Sequence, residues 1–246
     1  MNDILWDGKM DVGWDDLSIL IKRTTSTFVE NIRNVVEYSP NPESQALISN
    51  DSLKRFNNIS DLLAEIITDG YYYQSEDDND SNNNAKKLNA WILLGSLTES
   101  SLQMFLAFYI DDYKNTKWQQ WQNIEIEETK DSIINAVNEL EANGKIDKSQ
   151  SKSIKEAVKD KIKEHTKEHQ IQKIMLDELI KLYIHIEVFD EDEISYLKII
   201  QSNRNGIHSF QSREIGTWFD LQFSLRFFCY LLEWIMFRLP DLPDYE

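Results

Sequence analysis

Apolar residues recur every three or four positions along most of this chain, the spacing that places them on one face of an α-helix. The pattern predicts helices over residues 15–38, 51–68, 88–113, 171–188, 190–201 and 215–239. Gly70 is the predicted end of the second of these helices. Residues 88–113 are apolar almost all round, which indicates a central, buried position. Gly95 lies inside this segment and predicts close helix packing, because glycine costs a helix about 1 kcal/mol relative to alanine.

Two polar stretches separate these helices. Residues 74–86 are acidic and rich in asparagine, and they predict a mobile surface loop. Residues 127–167 predict a helical hairpin that turns at Asn143-Gly144, with residues 142–170 as a charged elaboration. Between residues 145 and 169 there are eight lysines and five acidic residues, a net charge of +3. We interpret this part as a solvated surface, and an arm that guides RNA is the alternative.

Composition favours an all-α protein. The chain has 246 residues, which suits one large domain or two small ones. It contains only 7 Gly and 4 Pro, too few for the many turns of an all-β fold. The single cysteine, Cys229, excludes an internal disulfide and lies in an apolar run, so we expect a buried, inert thiol and a cytosolic redox context.

The net charge of −17 limits the classes of partner. Affinity for a phosphate backbone comes largely from Lys and Arg, so any contact with RNA must be local rather than a broad surface. We expect no signal peptide at the N-terminus. Residues 218–239 are the only membrane candidate, and charged and polar side chains that interrupt them argue against a lipid-spanning helix; these are Asp220, Gln222, Ser224, Arg226, Glu233 and Arg238. We therefore expect a cytoplasmic protein with no membrane partner.

The strongest candidate chemistry lies in residues 201–210, where Arg204, Asn205 and His208 fall within five positions. If this segment is helical, Arg204 and His208 are at i and i+4 and share one face. A guanidinium can clamp a phosphate through its planar fork, and an imidazole can exchange a proton near neutral pH. Cleavage of RNA by attack of the 2′-hydroxyl needs such a cation with a base and an acid.

A purely structural role would use the same residues differently. Arg204 would then pair with an acidic neighbour such as Glu193 or Glu214, and His208 would pack in the core or an interface. One copy of the chain also supplies only one histidine here. In a two-fold dimer the other copy of the chain would supply the second histidine that an acid–base pair needs.

Neither of two candidate metal sites has a complete set of ligands. His165 and His169 have i, i+4 spacing but no evident third ligand. The acidic loop offers oxygens from Asp77, Asp78, Asp80 and Ser81, but it lacks the glycine and closing glutamate of a calcium loop. We predict neither a metal nor a cofactor.

At its arginine–histidine element the sequence resembles a known family. Arg204-Asn205-Gly206-Ile207-His208 resembles the signature of HEPN domains (higher eukaryotes and prokaryotes nucleotide-binding). Residues 93–106, LLGSLTESSLQMFL, are similar to a helix of HEPN-like and abortive-infection-like proteins. The resemblance covers residues 88–113 and 176–239, and the charged hairpin would be an insertion. The spacing between Arg204 and His208 is shorter than is usual in the nuclease members.

The resemblance implies a single domain over residues 1–246, an antiparallel up-and-down helical bundle that is usually homodimeric. It also implies a metal-independent endoribonuclease of toxin–antitoxin, abortive-infection or antiphage-defence systems. Arg204, Asn205 and His208 would be the catalytic set, and Glu99 a supporting polar residue. RNA would be the substrate, and an antitoxin or a nucleotidyltransferase a partner. The alternative is a non-catalytic HEPN-like dimer that senses a ligand or docks a partner.

Overall fold

The computed structural model describes residues 11–39, 41–73, 81–115, 122–165, 170–207 and 215–240, together with Trp6, Gly8 and Lys9. In this part of the chain the secondary structure is helical and contains no strand, so the all-α prediction is confirmed. The α-helices, in chain order, are α1 Trp14–Glu37, α2 Pro42–Leu47, α3 Asn50–Tyr73, α4 Ser81–Phe108, α5 Ile110–Asn115, α6 Gln122–Ala142, α7 Lys148–His165, α8 Leu176–His185, α9 Glu191–Arg204 and α10 Trp218–Met236. Short 3-10 helices cover Ile171–Lys173 and Asn205–Ile207.

The chain divides into two compact units. The first comprises Met1–Phe108 and Ile174–Glu246, and the second is Tyr109–Lys173. The first unit therefore holds α1 to α4 and α8 to α10, and the second holds α5 to α7.

Helix α4 is the centre of the first unit, as its all-round apolar pattern predicts. It contacts α2, α3, α8, α9 and α10. Trp91, Leu94 and Leu97 on this helix are completely buried. A helix with neighbours on every side needs apolar residues on every side, so its sequence loses the periodicity of a surface helix.

Helix α10 supplies more buried aromatic side chains than any other described helix. Residues 227–232 are all completely buried, including Phe227, Phe228 and Tyr230. Phe219 and Phe237, near the two ends of the helix, are exposed. Among the described helices, none is both long and apolar enough to cross a membrane.

The interior position of α10 also explains the environment of Cys229. Its side chain is completely buried, as predicted. Burial is the main cause that raises the pKa of this thiol to about 12, and the Glu233 carboxylate adds to it. A neutral thiol of this kind is a poor nucleophile.

Two predicted boundaries around the acidic loop are wrong. Helix α3 continues through Gly70 to Tyr73, and α4 begins at Ser81, so residues 81–86 are helical rather than loop. Asn83 is buried and accepts a hydrogen bond of 2.9 Å from Nε1 of Trp218 on α10. This long-range contact stabilises a polar helical turn that the local pattern does not reveal. Residues 74–80, and with them Asp77, Asp78 and Asp80, lie outside the described residues.

The second unit contains the predicted hairpin, formed by α6 and α7. The chain turns after Ala142, where Gly144 adopts a φ of +68° that L-residues rarely take. The N–H groups of Gly144 and Lys145 donate to the carbonyls of Glu141 and Leu140, each at 3.0 Å. These bonds satisfy carbonyls at the end of α6 and confirm the turn predicted at Asn143-Gly144.

Candidate functional site

Arg204 is the last residue of α9. Asp190 caps the start of the helix: its side chain accepts a hydrogen bond from the Glu193 N–H at 2.9 Å, while the Glu193 side chain accepts one from the Asp190 N–H at 2.9 Å. This reciprocal cap fixes the start of the helix. A cation in the last turn is also favoured by the helix dipole.

The Arg204 guanidinium is paired with Glu99 of α4. Nη1 lies 2.6 Å from Oε2 of the carboxylate, and Nη2 lies 3.5 Å from Oε1. The side chains of Arg204 and Glu99 are 20% and 16% exposed. The first contact is a strong, charge-assisted hydrogen bond, whereas the second is at the limit of hydrogen-bonding distance.

Gly95 makes room for the aliphatic part of the Arg204 side chain. A Cβ atom at Gly95 would lie 2.5 Å from Cδ of Arg204 and 2.9 Å from its Cβ and Cγ. Neither distance is compatible with ordinary van der Waals contact, so a side chain at residue 95 would displace the arginine. The prediction that Gly95 serves close packing is therefore confirmed.

Glu99 also binds the start of α8. Its Oε2 atom accepts a hydrogen bond of 2.8 Å from the backbone N–H of Leu176, the first residue of that helix. The N-terminal N–H groups of a helix lack partners within the helix and attract negative charge. One carboxylate of α4 thus contacts both α8 and α9.

One turn further along α4, Gln103 continues the same face. Its Nε2 atom donates to the carbonyl of Ile174 at 2.9 Å, just before α8 begins. Gly95, Glu99 and Gln103 are spaced four residues apart, so they form one stripe along the helix. Small and polar residues interrupt the apolar surface of α4 along this stripe, where it faces α9 and the start of α8.

The segment after Arg204 departs from the α-helical geometry that would place His208 on the same face. The α-helix ends at Arg204, and Asn205–Ile207 form a tighter 3-10 turn. Asn205, at the C-cap position, is half-buried, and its backbone N–H donates to the Gln201 carbonyl. Asn and Gly are weak helix formers, which is consistent with an α-helix that stops before them. His208 itself lies outside the described residues.

Asn203 is a site residue that sequence reasoning missed. Its Oδ1 atom accepts a hydrogen bond of 2.7 Å from the N–H of Gly216, and its Nδ2 atom donates to the Ile199 carbonyl at 3.0 Å. A Cβ atom at Gly216 would lie 3.1 Å from Nδ2 of Asn203. The contact joins the end of α9 to the residue before Thr217, which caps α10. No local pattern signals it, because the two residues are 13 positions apart.

Glu193, one of the two acidic partners predicted for Arg204, is held by other residues. Glu193 is buried, and it accepts a short hydrogen bond from the Tyr230 hydroxyl in addition to its contact with Asp190. Glu214 lies outside the described residues. The residue expected only as support, Glu99, is the partner of Arg204.

The described residues contain no group of three or more His, Cys, Asp or Glu side chains arranged to hold a metal ion. His165 is the last residue of α7, and His169 lies outside the described residues. Comparison with known proteins found no matching family model, no similar curated protein and no similar solved structure.

Proposed function

We propose that this chain is a metal-independent, HEPN-like endoribonuclease that acts as a toxin or an antiphage-defence effector. The observation that supports the proposal is the pairing of Arg204 with Glu99, because it fixes a guanidinium at the end of α9, four residues before His208. The Arg204 side chain remains one-fifth exposed, and its Nη2 atom has only a 3.5 Å contact with the carboxylate. Its weakly held edge is therefore the part suited to a phosphate oxygen.

In this reaction His208 exchanges a proton with the ribose 2′-hydroxyl or with the leaving 5′-oxygen. Arg204 stabilises the charge that develops on the phosphate, and Asn205 orients the phosphate or the imidazole. Glu99 holds the arginine in place. A homodimer in the family manner supplies the second histidine, and an antitoxin or a nucleotidyltransferase is the partner that restrains the activity.

A non-catalytic binding module is the second candidate, and the same ion pair supports it. Glu99 neutralises the charge of Arg204, and substrate phosphate would have to compete with a carboxylate 2.6 Å away. Glu99 also stabilises the start of α8, which is a sufficient structural reason for the carboxylate. The short spacing between Arg204 and His208 favours the same candidate.

The deciding experiment compares cleavage of RNA by the purified full chain and by His208→Ala, in EDTA. We expect the wild-type chain to leave 2′,3′-cyclic phosphate ends and the variant to lose cleavage by about 100-fold or more. His185→Ala, which removes an exposed histidine from α8, is the matched control. Cleavage that is undiminished in His208→Ala would refute catalysis by this residue. A wild-type chain that binds RNA without cleaving it would support the binding module instead.

A further inference from the structure

The helical hairpin of the second unit has an apolar groove between α6 and α7. Its volume is about 570 Å³, and its apolar lining includes Ile133, Ile154, Ala157 and Val158. Ile133 and Ile154 are each 38% exposed. Leu140 lies on the same side of α6 as Ile133, nearer to the turn, and it is also 38% exposed. Single apolar side chains are common on a surface, but aligned ones that form a groove indicate an interaction site.

The residues on the groove side of each helix have the spacing of a helix-packing seam. They follow one another at intervals of three and four residues, which is how the side chains that pack against a neighbouring helix recur. Ala136 and Ala157 are exposed small residues within the two seams, and small side chains let another backbone approach closely. The seam residues are Ile133, Ala136 and Leu140 on α6, and Ile154, Ala157 and Lys161 on α7.

A different side of each helix is used within the hairpin itself. Helix α6 contacts α7, and Val137 on α6 and Ser151 on α7 are buried. Each helix therefore has one packed side and, next to it, an open apolar seam. Two helices arranged in this way offer the surface on which the third member of a three-helix bundle packs, so the shape of the groove fits a helix.

The flanks of the groove are acidic. By helical register, Glu128 and Glu139 lie beside the seam of α6, and Asp160 lies beside the seam of α7, both on the side away from the other helix. All three are exposed, and none has a hydrogen bond or an ion pair with another described residue. Lys161 also lines the groove, but it has an interaction of its own. Four further lysines of α7 lie on the opposite side of that helix: Lys148, Lys152, Lys159 and Lys163.

We propose that this groove binds a basic amphipathic helix of another protein. The apolar face of that helix fills the groove, and its Lys or Arg side chains meet Glu128, Glu139 and Asp160. A second copy of this chain is a poorer occupant, because it has the same acidic flanks and the same net charge of −17. The inference does not rest on the proposed nuclease activity, since neither Arg204 nor His208 belongs to the groove.

The test measures binding of two fluorescent peptides to the full chain by anisotropy, at low and high salt. Both peptides consist of three heptads with leucine at a and d; one has lysine at e and g, and the other has glutamate there. At low salt we expect the lysine peptide to bind about 10-fold more tightly, and we expect salt to reduce this preference. Equal binding of the two peptides, or binding of neither, would overturn the proposal.

Variants of the chain test the apolar and the acidic parts separately. Ile133→Ser with Ile154→Ser should weaken binding of the lysine peptide by about 100-fold, because each buried isoleucine contributes about a factor of ten. Both residues are partly exposed, so we expect the variant to keep the wild-type unfolding temperature. If it unfolds at the wild-type temperature and binds the peptide as the wild type does, the groove is not the binding site.

For the acidic flanks, the triple variant Glu128→Gln, Glu139→Gln, Asp160→Asn should bind the lysine peptide about fivefold more weakly at low salt. The matched control removes the same charge from three exposed residues of the first unit and should bind as the wild type does; it is Glu30→Gln, Glu37→Gln, Asp61→Asn. Equal losses in the two triple variants would mean that only net charge matters, and the proposal would be wrong.

Sedimentation velocity distinguishes the partner helix from a second copy of the chain. We expect the wild type and the double isoleucine variant to have the same oligomeric state. If the wild type is a dimer and the double variant is a monomer, a second copy fills the groove and the proposal is wrong. The peptides contain no RNA, so this test and the RNA cleavage assay can fail independently of each other.

Discussion

Glu99 and Arg204 form an ion pair between α4 and α9, with 2.6 Å between Oε2 and Nη1, although 105 residues separate them in the chain. The same Oε2 atom accepts the N–H of Leu176 at the start of α8. Removing either partner of a largely buried ion pair leaves an uncompensated charge, so the pair constrains which changes the site tolerates. The ion pair also joins the candidate catalytic arginine to α4, a helix that carries none of the predicted catalytic residues.

The first prediction concerns the charge of Glu99. Glu99→Gln keeps an oxygen that can accept from Leu176 but removes the negative charge opposite Arg204. We expect the free energy of unfolding to fall by about 1–3 kcal/mol, because Arg204 loses a charged hydrogen-bond partner. Chemical denaturation measures the change.

Glu178→Gln is the matched control for this prediction, because Glu178 accepts the Met175 N–H at the start of the same helix and is not paired with any of the described arginines. We expect a change below that of Glu99→Gln. Equal losses in the two variants would mean that Glu99 matters only as a cap of α8.

A second prediction follows from the lack of space at residue 95. Gly95→Ala would gain about 1 kcal/mol of helix propensity, but its Cβ atom would meet the Arg204 side chain at 2.5 Å. We expect a net loss of about 1–3 kcal/mol, as for other overpacked positions. Thermal or chemical unfolding of the variant measures it.

The double variant Gly95→Ala, Arg204→Ala separates the two effects. It removes Cγ and Cδ of the arginine, so we expect alanine at residue 95 to cost less in this background than in the wild type. An unchanged cost would show that the clash is not with Cγ and Cδ of Arg204.

The sequence was a good guide to features that depend on local pattern. The apolar periodicity of α1 and the all-round apolar character of α4 both follow from how each helix is buried. Gly95 was also predictable, because a residue that weakens a central helix needs a packing reason. Glu99 was recognisable as a carboxylate in an apolar segment.

What could not be predicted were the partners across the fold. Glu193 and Glu214 were nearer to Arg204 along the chain than Glu99, yet Arg204 is held by Glu99 and Glu193 by Tyr230. Residues 81–86 have the polar pattern of a loop. The hydrogen bond between Asn83 and Trp218 that stabilises them as a helix joins residues 135 positions apart, so the local pattern does not show it. Residue spacing reports which face of a helix a side chain shares, but not which helix lies opposite.

A third prediction concerns the contact that closes the segment after α9. Asn203→Ala removes the acceptor of the Gly216 N–H and should cost about 1 kcal/mol locally. We expect faster hydrogen exchange at the Gly216 amide, measured by NMR. Asn31→Ala is the control, because Asn31 makes the same bond to a carbonyl four residues back, at 2.8 Å to Thr27, on an exposed face. If Gly216 exchanges at the wild-type rate in Asn203→Ala, the contact does not hold this segment.

The last prediction is a loss of stability at alkaline pH. Burial raises the pKa of Cys229 from 9.0 to about 12, and it also raises the pKa of Tyr183 above its ordinary value of 10.0. Above pH 9 the unfolded thiol loses its proton while the native thiol keeps it, so the unfolded state binds fewer protons. The contribution of Cys229 is therefore complete below pH 9 and is lost as pH rises toward 12.

Between pH 9 and pH 10 we expect the free energy of unfolding to fall, with Cys229 contributing at most about 1.4 kcal/mol per pH unit. Cys229→Ala lowers stability at neutral pH through the cavity that it leaves, but it should flatten this pH dependence. Urea unfolding of both chains at pH 7, 9 and 10 measures the difference. Parallel pH profiles would show that the native thiol ionises as freely as the unfolded one, which its complete burial argues against.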